Sequence, residues 1–131
     1  MAEVTILKEH NDETSGDELL EDINITHKGV LFVTGTAGAA YRGSQGQGHA
    51  WMGVAIFLRQ AQDPQTPWND RQIIASDYTN EQQSTSAAFR CSATAVKSLP
   101  SGRYNLRVVR AHRLADREPF LKLDLVVLSS T

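Results

Sequence analysis

Four histidines, one cysteine, a glycine-rich stretch and one long polar run are the places in this 131-residue chain where chemistry could be built. His10, His27, His49 and His112 show neither i,i+4 spacing nor a companion carboxylate motif, so no metal site is expected. Cys91 has no second thiol to pair with and sits in an alternating apolar pattern, which reads as a buried, reduced core residue. Between Gly35 and Gly48 no Gly-Lys-Ser/Thr follows at phosphate-loop spacing, and no dinucleotide fingerprint leads into a helix. That stretch is expected to be a flexible connection between strands, long enough to carry binding groups such as Tyr41 and Arg42. Gly43-Ser44-Gln45-Gly46 is preceded by Arg42 where a nucleophile elbow needs glycine. No catalytic constellation emerges, and neither an enzyme nor a cofactor is expected.

The run from Asp77 to Ser86 is polar apart from one ring and is expected to be a loop joining two strands. It can offer hydroxyl, amide and carboxylate groups to the hydroxyls of a sugar, with Tyr78 supplying a face for C–H surface. The same composition also suits a solvated connection that binds nothing. Arg103, Arg107, Arg110, Arg113 and Arg117 crowd one later stretch, as in a nucleic-acid binder, but Asp116, Glu118 and Asp124 are interleaved with them. With a pI near 6.0, intersubunit or intramolecular pairing of these arginines is the preferred reading, and no nucleic acid is expected.

The elements that must position these residues are strands. Phe89, Cys91, Ala93 and Ala95 alternate with Arg90, Ser92 and Thr94, the period of a half-buried strand. Ser98-Leu99-Pro100-Ser101-Gly102 then reads as a turn, and Tyr104, Leu106 and Val108 as the returning strand of an antiparallel pair. Leu121, Leu123, Leu125 and Val127 repeat the pattern. Val30–Val33, Met52–Leu58 and Leu125–Leu128 are apolar on both faces, which hints at an oligomer interface. Short strands at Val4–Leu7, Ile23–Thr26 and Gln72–Ser76 bring the total to about eight, with no helices alternating between them. Residues 1–26 hold one lysine and eight carboxylates, and a polar acidic loop is expected at about 10–22. The reading is a single all-β domain over residues 1–131, a jelly-roll β-sandwich. With no signal peptide or apolar run of spanning length, it is expected to be soluble, without membrane insertion, and cytoplasmic or released by an unconventional route.

In order and spacing, residues 28–130 resemble the TNF-like fucose-binding domain at the amino end of a bacterial two-domain superlectin. The resemblance rests on Ser84-Thr85 before a Phe-led strand, a glycine-containing turn, and a strand ending in Val109-Arg110. Asp77-Tyr78 stands upstream, and Tyr41 opens a glycine-containing loop leading to Gly53-Val54. It implies a homotrimer of TNF-like jelly rolls with metal-free pockets for fucosylated or related glycans between protomers. Tyr41, Ser84 and Thr85 would come from one protomer, with Tyr78, beside Asp77, and Arg110 from the next. The chain departs from the pattern at Ala87, where the family has arginine, and at Ala55, where it has an aromatic sugar contact. The alternative is a structural or protein-binding trimer of the same fold with no sugar site.

Overall fold

Apolar residues at every second position give each strand one face to bury. In the computed structural model, which describes residues 5–41, 49–82, 89–113 and 117–129, that pattern is met by an antiparallel sheet of six strands. They are β1 (Ile6–Thr14), β2 (Glu18–Tyr41), β3 (His49–Gln60), β4 (Ile73–Gln82), β5 (Phe89–Arg113) and β6 (Arg117–Ser129), with one 3₁₀ turn, Asp70–Gln72, ahead of β4. Hydrogen bonding runs in the order β1-β6-β2-β5-β3-β4.

β2 and β5, of 24 and 25 residues, are several times longer than an ordinary strand because each serves two sheets. Residues 18–25 of β2 pair with 102–109 of β5, and residues 28–39 pair with 89–100. Between the two stretches Thr26 and His27 oppose only Ser101, a bulge that bends and twists the ribbon. Pro100 contributes no N–H there, and Gly102 adopts φ +151°, a region that strains any residue with a side chain. The Tyr104 hydroxyl donates to the Pro100 carbonyl at 2.8 Å and pins the bend.

Beyond the bend the ribbon's two halves acquire different neighbours. Residues 29–41 of β2 take β6, which in turn takes β1. Residues 104–113 of β5 take β3, which takes β4. Dividing each long strand at its bend gives eight segments in two four-stranded sheets, ordered 1-8-3-6 and 2-7-4-5 along the chain. This is jelly-roll connectivity, and the divided strands account for the expected eight. Leu31, Val33, Leu123 and Val127 of the first sheet and Ile56, Leu106 and Val108 of the second share one buried core. Gly35 sits where they meet: a Cβ there would stand 2.8 Å from Val108 Cγ1. Side chains close both edges of the sandwich. Glu21 of β2 meets Lys8 Nζ at 2.5 Å and His10 Nε2 at 2.9 Å on β1, while Asp77 Oδ2 of β4 accepts the Ser92 N–H of β5 at 3.1 Å.

Several local expectations give way to this topology. Ser98–Gly102 is no hairpin turn: the residues on either side of it belong to one strand and pair with β2, not with each other. The acidic segment from His10 to Asp22 is strand except around Ser15–Asp17, Asp77–Gln82 lies in β4, and Gly35–Tyr41 lies in β2. Met52–Leu58 is apolar on both faces because Phe57, on the outer face, packs against Trp68 of the same chain, with ring centroids 5.9 Å apart.

Candidate functional site

Register decides which of the anticipated site residues meet. Val54 is the Cα partner of both Asp77 and Arg110, so those two side chains lie on the sandwich-facing side of β4 and β5. Tyr78 is opposite Gly53, one position on, and therefore points the other way. Tyr78 is 59% exposed, and its Cδ2 lies 3.9 Å from where a Gly53 Cβ would stand, so its ring edge lies beside the glycine. Tyr78 and Arg110 of one protomer thus face opposite sides of the sheet. Tyr41 ends β2 with its backbone opposite Arg117. Ser84, Thr85 and Ala87 lie outside the described residues.

Arg110 is held by its own chain. Its side chain is 1% exposed; Nη2 donates to Asp17 Oδ1 at 2.5 Å and to the Ser15 carbonyl at 3.0 Å, and Nε donates to Asp17 Oδ1 at 3.1 Å. Nη1, also buried, has no hydrogen-bond partner among the described residues. Three positions back along β5, on its other face, Arg107 donates Nε to Glu18 at 2.5 Å. The charge asymmetry of the sequence is resolved here: the acidic start of β2 lies antiparallel to the Arg-rich end of β5. Asp77 is also committed, to Ser92 N–H. Cys91 donates from Sγ to the Met52 carbonyl at 3.7 Å, and burial, helped by the Asp77 charge, pushes its thiol up to about 11.

A second constellation was not anticipated from sequence. The connection between β3 and β4 folds back over the outer face of the second sheet and leaves a cleft of about 340 Å³. Leu20, Asp22, Arg59, Gln62, Trp68 and Asn105 line it. Arg59 lays its guanidinium over the Trp68 ring at 3.9 Å and donates Nη1 to the Thr66 carbonyl at 2.9 Å. Asn105 Oδ1 accepts from Gln62 N–H at 3.1 Å, and Asn105 Nδ2 donates to Asp22 Oδ1 at 2.8 Å. The available signal was a tryptophan set among prolines, Pro64-Gln65-Thr66-Pro67-Trp68, in a segment without alternation.

Strand order and pairing define the class of protein: an antiparallel jelly-roll sandwich with a tyrosine platform near one edge and an aromatic–arginine cleft on one face. No helix among the described residues is long and apolar enough to cross a membrane. The chain matches no family model, and no curated protein matches it. Among solved structures it is similar to the globular domain of zebrafish complement 1qA protein, with TM-score 0.40 and 11% identity over 79% of this chain and 65% of that one. It is also similar to the K3 cleaved adhesin domain of Lys-gingipain from Porphyromonas gingivalis, with TM-score 0.33 and 13% identity over 87% of this chain and 65% of that one. The chain thus spans just under two thirds of the length of each. A third is the CBM36-1 domain of a multidomain xylanase from the hindgut metagenome of Trinervitermes trinervoides, with TM-score 0.36 and 9% identity over 98% of both chains. At TM-scores below 0.5 these likenesses carry no functional argument.

Proposed function

We propose that this domain is a lectin: it binds fucosylated or related glycans without metal and without turnover, at pockets between the protomers of a TNF-like homotrimer. One observation carries the reading. Tyr78 is 59% exposed on a hydrogen-bonded strand, opposite a glycine that adds no side chain beside it. Such a platform suits the apolar C–H face of a sugar, and strand pairing keeps it rigid before binding. Ser84 and Thr85 of the neighbouring protomer would add hydroxyls, together with that protomer's Tyr41. Arg110 and Asp77, engaged within the chain on the side of the sheet away from Tyr78, would position the edge rather than touch the sugar.

The test is a glycan array probed with labelled protein, alongside Tyr78→Ala. Selective signal on fucosides or close relatives, lost in the variant, is the expected result. A blank array from protein shown to be folded and trimeric would overturn the lectin reading.

That outcome would favour a structural or protein-binding trimer, for which one observation speaks independently. Phe32, 38% exposed, is the Cα partner of both Val126 and the 56% exposed Val96 on the outer face of the first sheet. This apolar stripe suits burial against another copy. Phe32→Glu with Val96→Glu should convert a trimer to monomers in light scattering.

A further inference from the structure

We propose that the Trp68–Arg59 cleft is a second ligand site, complete within one protomer, and that its ligand is a neutral saccharide. The proposal shares a ligand class with the lectin reading but neither its residues nor its dependence on a trimer.

The cleft is held open by groups already fixed in place. The chain from Ala61 to Gln72 is tied down at both ends: Ala61 N–H donates to the Arg103 carbonyl at 2.8 Å, and Asn69 and Gln72 form a reciprocal capping box around the 3₁₀ turn. Trp68 is wedged between the Arg59 guanidinium on one face and the Phe57 ring, at 68° to it, along another side. Arg59 is only 6% exposed, and burying a guanidinium is costly unless it is well partnered. Its partners are the Thr66 carbonyl, on the connection that folds over the sheet, and Asn105 Oδ1 and the Trp68 ring, which line the cleft, so the buried charge orders the wall. A ligand therefore meets a preformed surface and loses little affinity to ordering it.

The lining chemistry selects among ligands. Asp22 and Asn105, joined at 2.8 Å, set a carboxylate acceptor beside an amide. Neighbouring hydroxyls of a sugar both donate and accept, and an acid–amide pair answers both roles. Trp68 and the exposed Leu20 supply apolar wall for the C–H faces between hydroxyls. An anion is disfavoured, because Asp22 and Glu21 line the cleft and the Arg59 guanidinium is already engaged. A wholly apolar ligand would desolvate the Asp22 carboxylate while adding nothing to the one hydrogen bond it takes from Asn105. Asp22, Gln62 and Asn105 also border an adjoining depression that reaches Lys8, Asn24 and Arg103. The ligand is accordingly an oligosaccharide lying along a groove.

The experiment is an amide-resolved NMR titration of the full chain with methyl α-L-fucopyranoside, lactose, maltotriose, cellotriose and xylotriose, each separately. At least one is expected to shift the amides of Leu20, Asp22, Gln62 and Asn105 and the Trp68 indole along a single saturable isotherm. Asp22→Asn, at a solvent-exposed position where the fold is expected to survive, should weaken that isotherm at least about tenfold, the loss of one charge-assisted hydrogen bond. Tyr78→Ala should leave it unchanged. Shifts confined to the β4 edge and abolished by Tyr78→Ala would overturn the cleft while sustaining the lectin reading. No cleft shift with any of the five sugars would also overturn it, as would an isotherm insensitive to Asp22→Asn. Cleft shifts without any at β4 would sustain the cleft and displace Tyr78 from sugar binding.

Discussion

Asp17→Ala should be among the most damaging single changes on the surface of this domain. Asp17 is 66% exposed by its side chain, yet its Oδ1 takes two of the three side-chain hydrogen bonds that Arg110 makes, and Arg110 is 1% exposed. Breaking a buried ion pair from one side ordinarily costs about 3–5 kcal/mol, because the remaining charge stays buried. Here water can reach the carboxylate end of the pair, so the cost falls to the bottom of that scale or just below it, about 2–3 kcal/mol. For a domain of this size the loss lowers Tm by roughly 10 °C. Arg110→Met should cost less than Asp17→Ala, since it removes the charge with its partner, and Asp17→Ala/Arg110→Met should be no worse than Arg110→Met alone. Urea unfolding of the four proteins closes the cycle. If Asp17→Ala unfolds within about 0.5 kcal/mol of the parent, an ordinary surface effect, the pair does not anchor the β1–β2 turn.

Gly35→Ala forces a methyl to within 2.8 Å of Val108 Cγ1 between the sheets and should cost about 1–3 kcal/mol in urea. Gly53→Ala, whose nearest atom is 3.6 Å away, should stay within about 0.5 kcal/mol. Cys91, pushed up to about 11 from 9.0, ionises later in the folded chain than in the unfolded one. Stability is therefore held below pH 9 and falls as pH rises through 9 to 11, by at most about 3 kcal/mol. Cys91→Ala should remove that part of the alkaline loss in denaturant titrations at pH 8 and pH 11. Asp77→Asn, which deletes the smaller cause of the shift, should speed iodoacetamide alkylation of Cys91; a rate equal to the parent's would mean that Asp77 does not act on the thiol.

How much of this was legible depended on whether the controlling interaction was local. Alternation at Cys91, Ala93 and Ala95 and at Leu121 to Val127 named faces that are buried in the fold, because period-two burial is a property of a strand whatever its partner. The all-β class followed from the same signal. Pro100 and Gly102 carry the local chemistry of a reversal, yet they restrain only one residue each. Whether such a pair reverses a strand or merely bends it is settled by the partner, and β2 runs alongside on both sides of the bend. The acidic stretch from His10 to Asp22 looked like loop because its charges have no local reason to lie in a sheet. Arg110 and Asp17 are 93 residues apart, and Arg107 and Glu18 are 89 apart.

The candidate sites divide in the same way. Composition alone marked Tyr78 as a ring amid polar groups, and its exposure agrees with that. That Tyr78 and Arg110 face opposite sides of the sheet is a matter of register, which no pattern within either strand encodes. The cleft around Trp68 draws on β2, β3, β5 and the connection between β3 and β4, so it exists only after the jelly roll has closed. Local alternation was enough to say that strands would form and which face of most of them would be buried, since both follow from each residue's transfer from water. The tertiary structure alone decided which charges would be neutralised, which aromatic rings would be covered and where a cavity would remain, because each depends on side chains brought together from distant parts of the chain.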